Sequence, residues 1–295
     1  MRGRLVVLGE SGQVAQDLPE VARRHGFTEI VSIGRAKVDL SLADAGRLLD
    51  ELRPDAVVNA AAYTAVDKAE DDREAAFALN AVMPGRFAQA SAARLIPFVQ
   101  ISTDYVFDGS KPSPYVETDP CKPLGVYGQS KRDGELRVQE AGGSSAILRT
   151  AWVYGPHGAN FMKTMIRLAQ TRDELGVVDD QIGSPTTSAD VAEGAVRTAC
   201  ALLDQGIEGG RVFHCAGEGQ ASWADFAAAI FEEEAGLGRP APAIRRITTA
   251  DFPTPASRPA NSRLDSSLLE SVVGWRPQPW RSALTNIYRT LENRS

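Results

Sequence analysis

The chain has 295 residues, enough for one large or two modest domains with a filled core. Hydrophobic residues make up 43% and charged residues 24%, as in ordinary soluble globular proteins. A net charge of -6 argues against general binding to nucleic acid or to an anionic membrane, and no apolar run is long enough to span a bilayer. Without a signal peptide, and with only three cysteines that lack metal or redox spacing, a cytoplasmic protein is expected.

The first half of the chain alternates short apolar runs with longer helical patterns, which is typical of βαβ units around a parallel sheet. Ser41 with Asp44 has the spacing of a capping box and predicts the start of the second helix. Right-handed crossovers then predict an α/β fold with a doubly wound, Rossmann-like parallel sheet. The predicted elements are strand 4–9, helix 12–25, strand 29–33, a helix from the capping box through 52, strand 55–59, helix 71–94, strand 96–102, a helix beginning at Tyr127 and strand 146–149.

The second half is less regular, and its pattern predicts a smaller lobe over the carboxyl edge of the sheet. Ser222 with Asp225 predicts another capped helix, and the Pro- and Arg-rich stretch 239–263 is predicted to be loop. The other predicted elements are a helix beginning near Asn160, strand 176–178, helix 188–203, strand 212–215, and two closing helices after Asp265 and after Trp280.

A glycine-rich turn lies between the first predicted strand and its helix, in the run Gly9-Glu10-Ser11-Gly12-Gln13-Val14-Ala15. Gly9 permits a tight turn, Gly12 permits close approach of a pyrophosphate, and Ala15 permits close packing of helix on strand. The free N–H groups at the start of the helix can bind phosphate. This position at the first strand-to-helix junction predicts dinucleotide binding.

The second predicted strand ends in Ser32-Ile33-Gly34-Arg35 instead of the acidic residue that usually binds an adenosine ribose. Arg35 can pair with a 2′-phosphate, which would favour NADPH over NADH, or it can be a solvated loop residue. The sequence supports both interpretations equally, and NADH stays possible. Asp39 and Leu40 follow and could border the adenine.

Hydroxyl groups and a Tyr–Lys pair surround the fourth strand and the helix that follows it. Ser102 and Thr103 end the strand, where open α/β sheets bind their ligands. Lys131 lies one helical turn beyond Tyr127, so we expect its ammonium to lower the phenol pKa from about 10. The pair alone is a weak signal that usually marks an exposed helix face. With the dinucleotide motif, it predicts a site that protonates a ketone oxygen while hydride is delivered.

Longer motifs resemble the extended short-chain dehydrogenase/reductases and, within them, the dTDP-4-dehydrorhamnose reductase family. The resemblance covers almost the whole chain, and the later motifs are much more specific than the Tyr–Lys pair. The matching motifs are Gly9-x-x-Gly12-Gln13-Val14, Arg53-Pro54-Asp55, the run from Asn59 to Glu70, Ser102-Thr103-Asp104-Tyr105-Val106-Phe107, Tyr127-Gly128-x-x-Lys131, Arg149-Thr150-Ala151-Trp152-Val153-Tyr154, Asp180-Gln181-x-Gly183-x-Pro185-Thr186 and Pro253-Thr254-Pro255-Ala256-Ser257-Arg258-Pro259.

The resemblance implies a reductase of a dTDP-linked 4-keto-6-deoxy sugar, with Tyr127, Lys131 and Thr103 as catalytic residues. It implies that residues 1–155 form the dinucleotide-binding core, and that 156–295 form mainly a substrate-binding lobe with some segments returning to the core. The implied cofactor residues are Gly12, Gln13 and Val14 at the pyrophosphate, Asp39 and Leu40 at the adenosine, and Ala61, Ala62, Tyr63 and Lys131 near the nicotinamide. The implied substrate residues are Thr103, Asp104, Trp152, Asn160, Gln181 and Arg258.

One property of the resembled family does not transfer cleanly. Some members are described as dimers bridged by Mg²⁺ through three glutamates, but the matching positions are Asp17, Asp190 and Thr290. Two shorter carboxylates and a hydroxyl make a poorer site for a hard cation, and we predict no metal ligands. Mg²⁺ binding and the choice between monomer and homodimer are left open.

Two alternative functions fit the same scaffold. One is another nucleotide-sugar epimerase or dehydratase, which would end its cycle with no cofactor consumed. The other is a non-catalytic relative such as the regulatory subunit of methionine adenosyltransferase. The complete set of Thr103, Tyr127 and Lys131 favours an enzyme.

Overall fold

In a computed structural model of the protein, which describes residues 1–207 and 209–292, six parallel strands form the central sheet. The strands in chain order are β1 Arg2–Leu8, β2 Phe27–Ile33, β3 Ala56–Asn59, β4 Phe98–Thr103, β5 Ser145–Thr150, β6 Val153–Tyr154, β7 Glu174–Val178, β8 Ile182–Gly183, β9 Thr186–Thr187, β10 Arg211–His214, β11 Ala221–Ser222 and β12 Ala243–Ile247. The order across the sheet is β10-β5-β4-β3-β1-β2. The switch point of a doubly wound sheet therefore lies between β1 and β3, and the predicted fold class is confirmed.

Helices cover both faces of this sheet and build the second lobe. They are α1 Gln13–Arg24, α2 Ala45–Leu52, α3 Val66–Ala69, α4 Arg73–Phe77, α5 Met83–Ala92, α6 Val126–Ala141, α7 Phe161–Ala169, α8 Ser188–Gln205, α9 Trp223–Gly236, α10 Ser267–Val273 and α11 Trp280–Glu292. A π-helical turn, Ala78–Val82, joins α4 to α5. Within residues 1–207 and 209–292, no helix is both long and apolar enough to cross a lipid bilayer.

Alternation along β1 explains the two helical layers. Leu5 and Val7 lie in one apolar cluster with residues of α1 and α8, whereas Val6 and Leu8 lie in another with residues of α2, α5 and α6. Because successive side chains of a strand point to opposite faces, a continuous apolar run requires cover on both faces. The sequence 5–8 therefore predicts a sheet buried between helices, and the structure has one.

The second lobe has its own apolar core, made mainly by α7, α9 and α11. Tyr154, Met162, Phe226 and Leu284 are completely or almost completely buried there. β7 and β12 pair in parallel beside this core. β10 also belongs to the second half of the chain, but it pairs with β5 at the edge of the central sheet.

Three local predictions are wrong. The helix after β2 is capped by Asp44, which accepts from the Arg47 N–H, while Ser41 donates to Asp39 instead of forming a capping box. The stretch 239–263, predicted as loop, contains β12, because pairing with β7 satisfies its backbone. The predicted helix 71–94 is interrupted by the π-helical turn. The capping box of Ser222 and Asp225 is confirmed.

The close packing of α6 on the π-helical turn gives a testable prediction. A Cβ added at Gly134 would overlap the backbone oxygen of Asn80, whereas a Cβ added at Gly236, near the end of α9, meets no atom within 4 Å. We expect Gly134→Ala to reduce the free energy of unfolding by about 1–3 kcal/mol. Gly236→Ala, the matched helix control, should be neutral or stabilising by up to about 1 kcal/mol. Urea unfolding measures both, and equal effects of the two variants would contradict the packing described.

Candidate active site

The glycine-rich turn after β1 leaves open space in front of α1. Gly9 has φ +115°, a conformation that favours glycine, and its N–H donates to the Ile33 carbonyl at 2.9 Å. Gly12 is the N-cap of α1, and a Cβ there would meet no atom within 4 Å. The first N–H groups of α1 lack intrahelical acceptors and face this space. The turn therefore fits a pyrophosphate at a helix N-terminus.

The side chains next to the turn already make contacts within the protein. Val14 belongs to the core below the sheet, so only its backbone is available to a ligand. Gln13 donates weakly to the Val153 carbonyl at 3.4 Å and accepts from the Asn160 amide at 2.8 Å. Asn160 also caps α7 by accepting from the Lys163 N–H. Asn160 therefore lies beside the predicted cofactor loop and joins it to the second lobe.

The loop after β3 is held by a buried asparagine that the sequence analysis missed. Asn80 lies in the π-helical turn and is 1% exposed. Its amide oxygen accepts from the Tyr63 N–H at 2.8 Å, and its amide nitrogen donates to the Tyr63 carbonyl at 3.0 Å. Ala61 and Ala62 precede Tyr63, and a Cβ at Gly9 would lie 3.1 Å from the Ala61 nitrogen. A π-helical turn at this place is the kind of irregularity that often accompanies a functional site.

Thr103, Tyr127 and Lys131 converge at the carboxyl edge of β4. Thr103 ends β4, and Tyr127 lies in the first turn of α6, with its hydroxyl facing that of Thr103. Lys131 follows one turn later, is 3% exposed, and donates to the Ile101 carbonyl at 2.6 Å. The structure thus brings the three predicted catalytic side chains together.

The expected effect of Lys131 on the phenol is wrong. Burial raises the pKa of Tyr127 to about 12, and the hydrogen bond with Thr103 only partly offsets this. Burial lowers the pKa of Lys131 to about 8, and the charge of Glu135 acts in the opposite direction. Desolvation of both groups outweighs their proximity, since the Lys131 ammonium is directed at a backbone carbonyl.

A buried ion pair lies behind Lys131, and the sequence analysis missed it. Glu135, one turn after Lys131, is completely buried, and its carboxylate accepts from Ser102 at 2.7 Å. It also accepts two bonds of 2.8 Å from Arg149, at the end of β5, and one from Arg132. Burial alone would raise the pKa of Glu135, but the hydrogen bonds and charge of Arg149 lower it. The spacing of Glu135 from Lys131 was a signal that could have suggested this neighbour.

Asp104 lies beside Thr103 with its side chain directed inward. It is 3% exposed and accepts from the Thr103 hydroxyl at 3.0 Å. Burial raises the pKa of Asp104 to about 6, although hydrogen bonds with Ser262 and Thr103 act against the shift. Asp104 can therefore change protonation state close to the predicted ketone site.

Trp152 and Gln181 lie together in an aromatic cluster where β5 meets the second lobe. Trp152 has φ +49°, and its ring stacks on Trp223 with centroids 3.5 Å apart. Gln181 accepts from the Trp223 indole N–H at 3.1 Å and donates to the Thr249 hydroxyl. Trp223, at the start of α9, was missed because it is distant in sequence from both partners.

The remaining predicted residues lie apart from this cluster. Arg258 donates to Asp67 at 2.8 Å, so the cation predicted for the substrate is paired within the protein. Arg35 is exposed in the turn after β2. Asp39 accepts from the Ser41 hydroxyl and N–H, which lowers its pKa, and Leu40 is buried in the core.

Comparison with known proteins supplies the family. The model of the family described as "RmlD substrate binding domain" matches residues 3–293. A Sinorhizobium fredii protein named dTDP-4-dehydrorhamnose reductase is 43% identical over 95% of both chains. A dTDP-4-dehydrorhamnose reductase from Clostridium acetobutylicum has a similar structure, with TM-score 0.89, 35% identity, and coverage of 98% of this chain and 99% of that one. A dTDP-4-dehydrorhamnose reductase from Bacillus anthracis, in complex with NADP, gives TM-score 0.89 and 33% identity over 98% of this chain and 100% of that one.

The chain belongs to the dTDP-4-dehydrorhamnose reductase family. The resemblance stated from the sequence is therefore confirmed, and the protein is a nicotinamide-dependent oxidoreductase. The open turn at Gly12, at the N-terminus of α1, fits such a cofactor. Membership of this family favours a reductase over the alternative epimerase and over a non-catalytic subunit.

The three positions that the sequence analysis considered for a metal, Asp17, Asp190 and Thr290, lie in α1, α8 and α11. Asp17 lies 3.3 Å from His157, but one carboxylate oxygen of Asp17 and one of Asp190 are buried without a hydrogen-bond partner among the described residues. Thr290 donates to the Asn286 carbonyl. In the described residues, no group of three or more His, Cys, Asp or Glu side chains has the arrangement of a metal site.

The buried pair of Glu135 and Arg149 predicts a large loss of stability for Glu135→Gln. Removing one charge of a buried pair leaves the other uncompensated, and we expect a loss of about 3–5 kcal/mol in the free energy of unfolding. Glu51→Gln removes the partner of Arg47 in an exposed pair and should cost less than about 1 kcal/mol. Urea unfolding compares the two variants. A similar cost for both would mean that the Glu135 carboxylate is not buried as described.

Asp104 predicts a pH dependence of stability. Its pKa is raised from 3.8 to about 6, so the folded state binds the proton more tightly than the unfolded state. The resulting stabilisation is complete below about pH 4 and is lost as the pH rises through about 6. Relative to Asp104→Asn, the wild type should lose up to about 3 kcal/mol between these values. Urea unfolding at several pH values measures this difference.

Asp251→Asn is the control, and the effect of pH on stability should have the opposite sign there, because hydrogen bonds with Thr248 lower the pKa of Asp251.

Proposed function

We propose that the protein catalyses the NADPH-dependent reduction of the C4 ketone of dTDP-4-dehydro-L-rhamnose to give dTDP-L-rhamnose. The observation that carries the proposal is the convergence of Thr103, Tyr127 and Lys131 at the carboxyl end of β4, on the same edge of the parallel sheet as the open turn at Gly12. Relatives that cover nearly the whole chain bear the name of this reductase, which supports the choice of substrate.

Each of the three side chains has a separate task in this reaction. The bound nicotinamide supplies hydride to the C4 carbon of the sugar. Tyr127 donates its hydroxyl proton to the C4 oxygen. Thr103, whose single hydroxyl proton is directed at Asp104 in the structure, turns that proton to the same oxygen as negative charge develops there. Lys131, with a pKa of about 8, is mainly protonated at neutral pH and binds the nicotinamide ribose.

The raised pKa of Tyr127 suits the direction of reduction. With a pKa of about 12, the phenol retains its proton throughout the neutral range and begins each turnover as a donor. The hydrogen bond with Thr103 stabilises the phenolate and partly offsets the cost of its burial.

The substrate is proposed to bind between the sheet edge and the second lobe. Trp152 contacts the deoxysugar face, and Asp104 binds a sugar hydroxyl. Arg258 pairs with the diphosphate, for which the substrate must share or replace the bond to Asp67. Gln181 and Asn160 complete the contacts to the dTDP part, although their side chains also bind Trp223 and Gln13.

The cofactor is proposed to extend from Tyr127 across the turn at Gly9 and Gly12 to the end of β2. Arg35 there favours the 2′-phosphate of NADPH, and NADH is the second cofactor to be tested. The NADP complex of the Bacillus anthracis relative supports this choice. We propose that residues 1–155 bind the dinucleotide and that residues 156–295 form mainly the substrate-binding lobe.

The proposal predicts that Tyr127→Phe loses turnover. We expect kcat for the dTDP-linked 4-keto sugar to fall about 10²–10⁴-fold, because the proton donor is removed while both ligands still bind. The measurement is loss of reduced nicotinamide absorbance, with NADPH and NADH and with dTDP- and UDP-linked keto sugars. Tyr288→Phe, in the core of the second lobe, removes an equivalent hydroxyl far from the proposed chemistry and should leave kcat unchanged.

Two results would overturn the assignment. If Tyr127→Phe has the same kcat as the wild type, Tyr127 is not the proton donor. Conversion of the keto sugar by the wild type without stoichiometric loss of NADPH or NADH would favour an epimerase or dehydratase instead.

A further inference from the structure

Glu10 places a carboxylate across the end of β2. A Cβ added at Gly34, the first residue after β2, would overlap the Glu10 side chain, so this side chain lies directly against the strand end. The bond from the Gly9 N–H to the Ile33 carbonyl fixes the turn after β1 against the same strand end. In a doubly wound sheet, the end of this strand lies beside the adenosine ribose of a dinucleotide.

Lys37 is the cation that Glu10 holds. Its ammonium donates to a Glu10 carboxylate oxygen at 2.9 Å and to the Ser32 carbonyl at 3.2 Å. The Lys37 and Glu10 side chains are 58% and 44% exposed, so a ligand can reach both. The sequence analysis selected Arg35 at this strand end and missed both members of the pair.

Arg35 supplies a second positive charge at the same place. Within residues 1–207 and 209–292, its guanidinium forms no hydrogen bond or ion pair, and its charge acts on Asp39. The strand end thus carries two cations, Arg35 and Lys37, and one carboxylate that neutralises the second of them.

These charges interact differently with the 2′ groups of the two nicotinamide cofactors. The 2′-phosphate of NADPH is a dianion that attracts Arg35 and Lys37 but is repelled by Glu10. The 2′-hydroxyl of NADH carries no charge and can donate a hydrogen bond to a carboxylate. A 2′-phosphate therefore competes with Glu10 for the charge of Lys37, whereas a 2′-hydroxyl leaves the pair undisturbed.

We propose that Glu10 determines cofactor specificity by competing with the 2′-phosphate of NADPH for Lys37. The competition weakens NADPH binding selectively, and so brings the affinities of NADPH and NADH closer together. The inference rests on the proposed function for the position of the adenosine at the end of β2. Its test does not require catalysis.

The experiment measures binding of 2′,5′-ADP and of 5′-AMP to the full-length protein by titration calorimetry. Glu10→Gln should bind 2′,5′-ADP about two- to tenfold more tightly than the wild type, as expected for removal of an exposed like charge. Its affinity for 5′-AMP should change less than about twofold. The gain should shrink in high salt, which screens exposed charges.

Glu29→Gln is the matched control. Glu29 lies in β2, pairs with Arg4 at 2.8 Å, and is exposed to a similar degree, so its substitution changes net charge equally away from the end of the strand. It should leave both affinities unchanged. Lys37→Gln should weaken 2′,5′-ADP binding. The gain in affinity for 2′,5′-ADP that Glu10→Gln produces should differ between the Lys37→Gln background and the wild-type background.

The outcomes separate this inference from the proposed reaction. An unchanged ratio of the two affinities in Glu10→Gln, an equal change for both fragments, or no binding of either fragment by the wild type would overturn the role of Glu10. If the expected binding pattern appears but the keto sugar is not reduced, the reductase proposal fails while the role of Glu10 stands.

Discussion

The position of α6 against the central sheet depends on one buried ion pair. The Glu135 carboxylate of α6 binds Ser102 at the end of β4 and Arg149 at the end of β5. A buried pair of this kind gains little net stability, because desolvation offsets most of the attraction between the charges. Its effect is geometric, since three elements must meet in one arrangement for every donor to be satisfied. Tyr127 and Lys131 precede Glu135 on the same face of α6, so the bond network fixes them against the edge of the sheet.

That arrangement explains why burial, rather than the charge of Lys131, determines the pKa of the Tyr127 phenol. Both groups are withdrawn from water, which raises the pKa of Tyr127 and lowers that of Lys131. The phenol consequently holds its proton more firmly than the ammonium does. If Tyr127 is the proton donor, as proposed, this order of pKa values keeps its hydroxyl protonated at neutral pH. The Glu135 charge limits the shift of Lys131, so the ion pair that positions α6 also keeps the lysine mainly protonated.

Local patterns predicted the parts of the molecule that local interactions determine. The apolar run 5–8, the capping box at Ser222 and the spacing of Tyr127 from Lys131 are all visible within a few residues of sequence. Contacts between distant segments were not visible: Asn80 with Tyr63, Trp223 with Trp152, and Glu135 with Arg149. The strand β12 was missed for the same reason, because its polar residues form a strand only by pairing with β7. Thus the candidate catalytic residues could be predicted from sequence, but not the groups that hold them.

Two hydrogen bonds between the halves of the molecule connect the second lobe to the predicted cofactor and substrate sites. Asn160, at the start of α7, donates to Gln13 in the turn of the predicted cofactor site. Arg258, in the loop after β12, donates to Asp67 in the segment after β3. Both bonds join the second lobe to loops that follow strands of the central sheet. These two contacts between distant segments therefore help to fix the position of the second lobe over the sheet edge, on which both predicted sites depend.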